Sequence, residues 1–396
     1  MLTRVLRNYF PVFRLPWTLY RYILSEVSRP FLGATFFFTF VLMMFQVIRW
    51  SDFFVVHNVS GYSILTLMYY LLLTFTPVIF PIAFLLAVLL GFGRLSGDSE
   101  VLGMRSAGMS VYSMLVPVMS LGILLSLATL ICNMYFVPYG SRQFRYELFR
   151  ISNTKAIATI HEGTFNEGFF DMVLFAGGVD SKKGTLESVL IYDERKDQLP
   201  VTVVAKAGQI LNNLQDENGI PGLVLRLFNG SMHRSDPAKY MYEKTDFDLY
   251  DIFLRIETAK VVGVEVPKTM DIGALKLRID EVRALQKKTG QKLEQLSNTD
   301  RLDYINYSCE YWKRFALAVS CMIFALMGVA FGVVRTRTVR SNSFLICLVV
   351  LLVYYVIYSY GFSLASEGKV PAIVGTFTAN LIAFLIASFT LVKVAR

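Results

Sequence analysis

The sequence predicts an α-helical membrane protein with six transmembrane helices and one β-rich domain inserted between the third and the fourth. Three observations carry that class. Of 396 residues, 54% are hydrophobic and only 17% charged, too little charge to cover a water-soluble chain of this length. Six stretches hold no Asp, Glu, Lys or Arg: Phe31–Ile48, Phe53–Gly93, Ser106–Ser141, Phe315–Val334, Ser341–Ser366 and Val370–Val392. Each can cross a ~30 Å hydrocarbon layer at about 1.5 Å per helical residue. Between the third and the fourth, the texture changes to short β-type runs separated by turns.

Residues 1–30 are basic, with Arg4, Arg7, Arg14, Arg21 and Arg29. They read as a cytoplasmic or interfacial helix, about Leu15–Pro30, leading into span one. A secretory leader is not expected, because the basic region is long and no small-residue cleavage site follows the apolar run. Residues 31–141 carry spans one to three. Span two reads as one long helix kinked at Pro77 and Pro81. The stretch after it, "GRLSGDSEVLGMRSAGMS" from Gly93 to Ser110, interrupts two uncharged runs with small and charged residues. Ser96 reads as a helix cap, with Asp98, Ser99 and Glu100 in the first turn, Arg105 near the end and Gly108 as terminator. That predicts a helix of about three turns over 96–108, kept slim by Gly97, Gly103, Ala107 and Gly108. By itself it is a well-capped loop helix.

Residues 142–314 open with a helix around Gln143–Ile160. The runs "MVLFAG", "SVLIYDE", "VTVVAKAGQIL", "GLVLRLFNG" and "FDLYDIFLRI" follow, with Leu223, Leu225 and Leu227 at a period of two. "AGGVDSKKG", "DENGIPG" and "NGS" supply turns, so a sandwich or open roll is expected. A charged helical stretch from Ile272 to about Tyr311 feeds span four, and residues 315–396 carry spans four to six. Arg94 and Arg105 follow span two, Arg335, Arg337 and Arg340 follow span four, and Lys393 and Arg396 end the chain. The alternate loops hold only Arg49 and Lys369. The basic loops lie inside, so both termini are cytoplasmic and residues 142–314 lie outside. The net charge of +9 then reports topology rather than a nucleic-acid partner.

Several chemistries are absent. Cys132, Cys309, Cys321 and Cys347 have no paired spacing, and His57, His161 and His233 are scattered, so no metal site is expected. No phosphate-binding G-x-x-x-x-G-K-[ST] loop occurs, and "SEGKVP" lacks its spacing. No catalytic Ser, Cys and His arrangement stands out. Span interiors hold no Asp, Glu, Lys, Arg or His, which disfavours ion-coupled transport by this chain alone. Gln46 and Asn380 are the polar residues nearest span interiors, and interhelical hydrogen bonding accounts for them better than a ligand does.

"GRLSGDSEVLGMRSAGMS" resembles the cytoplasmic coupling helix of the lipopolysaccharide-export ABC permeases, a family of paired F and G subunits. The family pattern is Gly, Arg or Lys, then Leu, a polar spacer, Ser-Glu, an apolar turn, and a small residue with Gly before span three. "RYILSEVSRPFL", "FTPVIFPIAFLLAVLLGFGRLS", "VPYGSRQFRYEL", "IHEGTFNE" and "EYWKRFALA" resemble other family segments, so the likeness covers nearly the whole chain. Two departures stand out. No proline follows Arg314 where the family often has one, which bears on the geometry of span four. "DSE" at 98–100 and "EGKVP" lean towards the F subunit.

The resemblance implies six transmembrane helices with an inserted periplasmic β-jellyroll domain, in a bacterial inner membrane. It implies a permease without its own ATP site and without a cofactor, ATP and Mg being held by a cytoplasmic ABC ATPase dimer. The other implied partners are a second homologous permease, a periplasmic jellyroll bridge protein and lipopolysaccharide. Carried over to this chain, ATPase coupling falls to Arg94, Asp98, Ser99, Glu100, Met104 and Gly108, with Glu100 pairing a basic residue of the ATPase. Arg49, in "QVIRWSDFF", is placed to contact lipid phosphate through its planar fork, or to act as an interfacial anchor beside Trp50. A membrane-anchored sensor or scaffold, and an ABC permease that moves outside domains without carrying lipid, are the rival readings. The first accounts for the topology but not for the coupling-helix pattern, and the second would not require an apolar path from the membrane into the β domain.

Overall fold

The structure, a computed structural model, describes residues 16–56, 59–155, 160–169, 172–180, 184–193, 201–215, 221–236, 241–254, 266–289, 298–333 and 339–395. Arg4, Arg7, Arg14, Arg335, Arg337, Arg396 and the turn "DENGIPG" up to Ile220 lie outside them. Six helices are long and apolar enough to cross a membrane. α1 is Trp17–Val56, α2 is Gly61–Gly97, and the short α3 is Glu100–Ser106. α4, Val111–Ile131, runs through a π-helical turn, Cys132–Phe136, into α5, Val137–Lys155. After the strands come a 3-10 turn at Pro267–Thr269 and α6, Ile272–Thr289. α7 is Asn298–Gly332, α8 is Val339–Ser366 and α9 is Ala372–Ala395.

Two expectations change here. The interfacial segment and span one are one helix, because α1 passes through Pro30 without a break. Pro30 leaves the Glu26 carbonyl without its helical donor. That carbonyl lies against Gly91 of α2, where a Cβ would sit 2.9 Å from it, so the space of a missing side chain accommodates the irregularity. The helix expected from Gln143 is no separate element but the continuation of span three. Pro138 has no N–H for the turn before it, and the π-helical turn there widens the spacing while keeping the rod continuous. Buried Asn133 in that turn donates to the Arg314 carbonyl of α7 at 3.2 Å.

The chain forms two compact units. One takes in the chain up to Gln46, Leu71–Ser141 and the chain from Pro267 onward; the other is Val47–Tyr70 with Arg142–Val266. In the first, α2 and α7 are central, with Phe84, Val88 and Phe92 packed among Cys321, Ala325 and Val329. Asn380 of α9 accepts from the Tyr354 hydroxyl of α8 at 2.7 Å and donates to the Ala316 carbonyl of α7 at 2.9 Å. It is thus the interhelical link that its residue type suggests. Arg314, 1% exposed, donates to the carbonyls of Pro267 and Met270 and pins the 3-10 turn to α7.

The second unit holds a six-stranded antiparallel sheet in consecutive order. Its strands are β1 Phe165–Phe169, β2 Met172–Asp180, β3 Thr185–Asp193, β4 Val201–Gln215, β5 Pro221–Asp236 and β6 Met241–Leu254. One face is apolar and lined by the strands' own residues, among them Leu174, Ile191, Val203, Leu225 and Leu227. Pairing skips Gly177, Ser188, Lys206, Asn229 and Asp248, which lie opposite one another across β2 to β6. Ser188 and Asn229 have left-handed φ of 51° and 49°. At this crease the inward set changes parity: Val189 and Ile191 give way to Leu186 on β3, and Val203 and Ala205 to Gly208 and Ile210 on β4.

Arg226 of β5 and Asp251 of β6 pair across the ladder with two parallel hydrogen bonds of 2.8 Å. The Arg226 guanidinium holds the Asp251 carboxyl below the usual carboxylate range. A depressed carboxyl contributes stability above its unfolded value, about 3.9, and loses that contribution as pH falls through the folded value. Asp251→Asn should therefore lower the melting temperature of the full chain in detergent at pH 7. The same variant should melt with a flatter pH dependence than the native chain below about pH 4. Thermal scans at both pH values check this.

Candidate functional site

The short helix α3 departs from the expected design in its start. α2 remains helical to Gly97, and the residue before α3 is Ser99, with a left-handed φ of 61° and no side-chain cap. Ser96 is therefore no cap: its hydroxyl donates to the Gly332 carbonyl of α7 at 2.9 Å. The reversal at Asp98–Ser99 lets the chain turn within two residues, so α3 spans about two turns instead of three. The expected terminator holds. Gly108, at φ 85°, donates its N–H to the Arg105 carbonyl, and Met109 donates to that of Met104. This double closure is the usual glycine helix end. Gly108→Ala would force a Cβ into the left-handed region at about 1 kcal/mol or more. Faster amide exchange at residues 104–109 than in the native chain should report it.

α3 has two faces. Val101 and Met104 are buried in the membrane unit's core. Met104, expected among the coupling residues, thus seats the helix rather than facing outward. On the opposite side Leu102 is 66% exposed, beside exposed Gly103, Ser106, Ala107 and Gly108. Leu102 was missing from the residues expected at this site. The signal was available, since it lies about 100° around the helix from Val101.

Four other helices fix this segment. The Tyr22 hydroxyl of α1 donates to Glu100 Oε2 at 2.7 Å. Arg94, in the last turn of α2, meets buried Glu26 of α1 at 3.1 Å and Asp98 at 3.7 Å. Arg105 donates to the Val394 carbonyl of α9 at 3.3 Å, and Ser96 reaches α7 as above. Ser110 caps α4 by accepting from the Ser113 N–H. The expected residues Arg94, Asp98, Ser99, Glu100 and Gly108 thus cluster at one short, open-faced helix tied to α1, α2, α7 and α9.

Arg49 belongs to the second unit, where it is exposed on α1. Its neighbour Trp50 packs edge-on against Phe53 and Phe144. Gln46 is half-buried on the same helix. The four cysteines are buried free thiols, and among the described residues no cluster of His, Cys, Asp or Glu could hold a metal ion.

The family model described as "Lipopolysaccharide export system permease LptF/LptG" matches residues 21–393. The lipopolysaccharide export system permease protein LptF of Escherichia coli K12 is 22% identical over 368 residues, covering 93% of this chain and 92% of that protein. The proteins of the same name from Escherichia coli O157:H7 and Shigella flexneri match to the same extent.

Proposed function

Because the chain belongs to the lipopolysaccharide export system permease family LptF/LptG, we propose that it is an F-type subunit that, with a second homologous permease, encloses a cavity for the lipid. Lipopolysaccharide enters this cavity laterally from the membrane and leaves it onto a periplasmic bridge of jellyroll domains. Two copies of a cytoplasmic ATPase supply the work, holding the ATP and Mg that this chain has no loop to bind. Both termini lie in the cytoplasm and the β domain in the periplasm.

The observation that supports this reading most directly is α3. A helix of about two turns is too short to be stable alone, so it depends on its surroundings. Here it is seated by Val101 and Met104 and hydrogen-bonded to α1 and α9, while Leu102, Gly103 and Ala107 stay open. A protein groove that receives this face can push on several spans at once. Glu100 is the charge offered to a basic residue of the ATPase, and Arg94, Asp98, Ser99 and Gly108 shape the helix around it. Arg49 is our candidate contact for a lipid phosphate at the outer end of α1.

The test is a gentle detergent pull-down of the tagged chain from its native membrane, with mass spectrometry of bound proteins and lipids. An ATPase, a second permease of similar length and lipopolysaccharide are expected together. Recovery of the chain alone, under conditions that preserve a known ABC complex, would favour a membrane-anchored scaffold instead.

A further inference from the structure

We propose that Tyr22 is a positioning residue for coupling, holding the Glu100 carboxylate through a neutral hydrogen bond so that its charge stays available to the ATPase. The inference rests on the reading of α3 as the docking helix. α2 and α3 meet at Asp98–Ser99, where left-handed Ser99 provides the turn and no side-chain cap stiffens it. α1 clasps both sides of that joint. Tyr22 and Glu26 are one helical turn apart and share a face of α1. Glu26 takes Arg94 on the α2 side, and Tyr22 takes Glu100 on the α3 side. With both rungs in place α3 cannot swivel about the joint without moving α1.

The chemistry of the second rung is specific. A lysine or arginine at position 22 would hold Glu100 equally well but would neutralise it. A phenol is a donor without charge, so the carboxylate keeps its full negative charge for an incoming cation. Only Oε2 is engaged by Tyr22, which leaves Oε1 for the partner. Glu100 has several rotatable bonds, and ordering them before docking removes an entropic cost from binding. The pairing thus pre-organises the docking group and ties it to the first span.

The test uses the complex recovered with its native ATPase, in lipid nanodiscs, and reads two quantities: ATPase affinity and lipopolysaccharide released per ATP hydrolysed. Tyr22→Phe removes one oxygen and should weaken affinity about tenfold, in line with a hydrogen bond to a charged acceptor. It should also lower the lipid-to-ATP ratio, which a purely structural role would leave alone once folded complex is compared with folded complex. Glu100→Ala should lose at least as much, and Tyr22→Phe added to it should cause no further loss. Normal docking in Glu100→Ala would overturn the docking reading, and this proposal with it. A damaged Glu100→Ala beside a native-like Tyr22→Phe would overturn the positioning role alone. Additive losses in the double variant would likewise show that Tyr22 acts by another route.

Discussion

Leu102→Lys should strip the ATPase from the purified complex while the permease keeps its fold. Leu102 is a large apolar side chain left exposed on a helix whose other apolar residues are buried. Burying such a side chain in a partner groove contributes about 2 kcal/mol, and central apolar anchors of interfaces reach ~2–4 kcal/mol. A lysine there forfeits that term and must also be desolvated beside the partner's own basic residue. The expected loss of ATPase affinity is about 100-fold or more. Surface substitutions away from packed features change stability by about 0.5 kcal/mol or less, so the melting temperature should barely move. Pull-down stoichiometry and ATP turnover measure the first quantity, and a thermal scan the second. Native-like ATPase recovery would mean that Leu102 meets lipid headgroups and not protein.

Gly375→Leu should prevent α8 and α9 from closing and lower the yield of folded chain. At Gly375 an added Cβ would lie 2.5 Å from the Ala365 Cβ and 2.5 Å from the Gly361 carbonyl oxygen. At Gly361 it would lie 2.5 Å from the Gly375 carbonyl oxygen. The obstacles are mainly backbone, which cannot rotate away. In a membrane the two helices gain nothing from the hydrophobic effect, so close backbone approach is what holds them. Overpacking of this kind costs about 1–3 kcal/mol even when surroundings yield, and more for a leucine against backbone. The separation would also pull Asn380 from Tyr354, leaving polar groups unpaired within the bundle. Folded yield and melting temperature in detergent are the readouts, with Gly375→Ala expected to be intermediate.

Much of the fold was legible because charge is so costly in a bilayer that its absence marks each span. Each of the six spanning helices carries the larger part of one charge-free run, although the second run begins within the end of α1 and the third begins at Ser106 of α3. Helix ends were less legible. Polar residues prolong α1, α5 and α7 beyond the charge-free runs, since a helix needs no apolar surface once it leaves the hydrocarbon. At the candidate site, the sequence placed Arg94, Asp98 and Glu100 along one short segment, but Asp98 and Ser99 fall in the reversal before α3 and not in its first turn. The Ser96 cap was not, because serine caps a helix only if the chain breaks before it, and α2 does not. Tyr22 and Glu26 were invisible as partners, since their contacts bridge some 70 to 80 residues of sequence. In the β domain, Leu225 and Leu227 share the buried face as their period of two suggests. Beyond them, the parity change at Ser188 and Asn229 splits β3 and β5 each into two shorter patterns that no single alternation describes.

That crease also works as a vernier for strand alignment. In an ordinary sheet, a strand that slips by two residues restores its inward and outward sets and can be trapped as a near-native misfold. Here each of β2 to β5 carries one phase reversal, and the reversals must meet along one line. A two-residue slip of β4 would set Lys206 off that line and turn part of its apolar set, such as Ala205 or Gly208, to the wrong side. The error is then marked at the crease, where a plain sheet would leave a slip of two without trace. A domain of long antiparallel strands in plain consecutive order thereby acquires a proofreading mark for its own assembly.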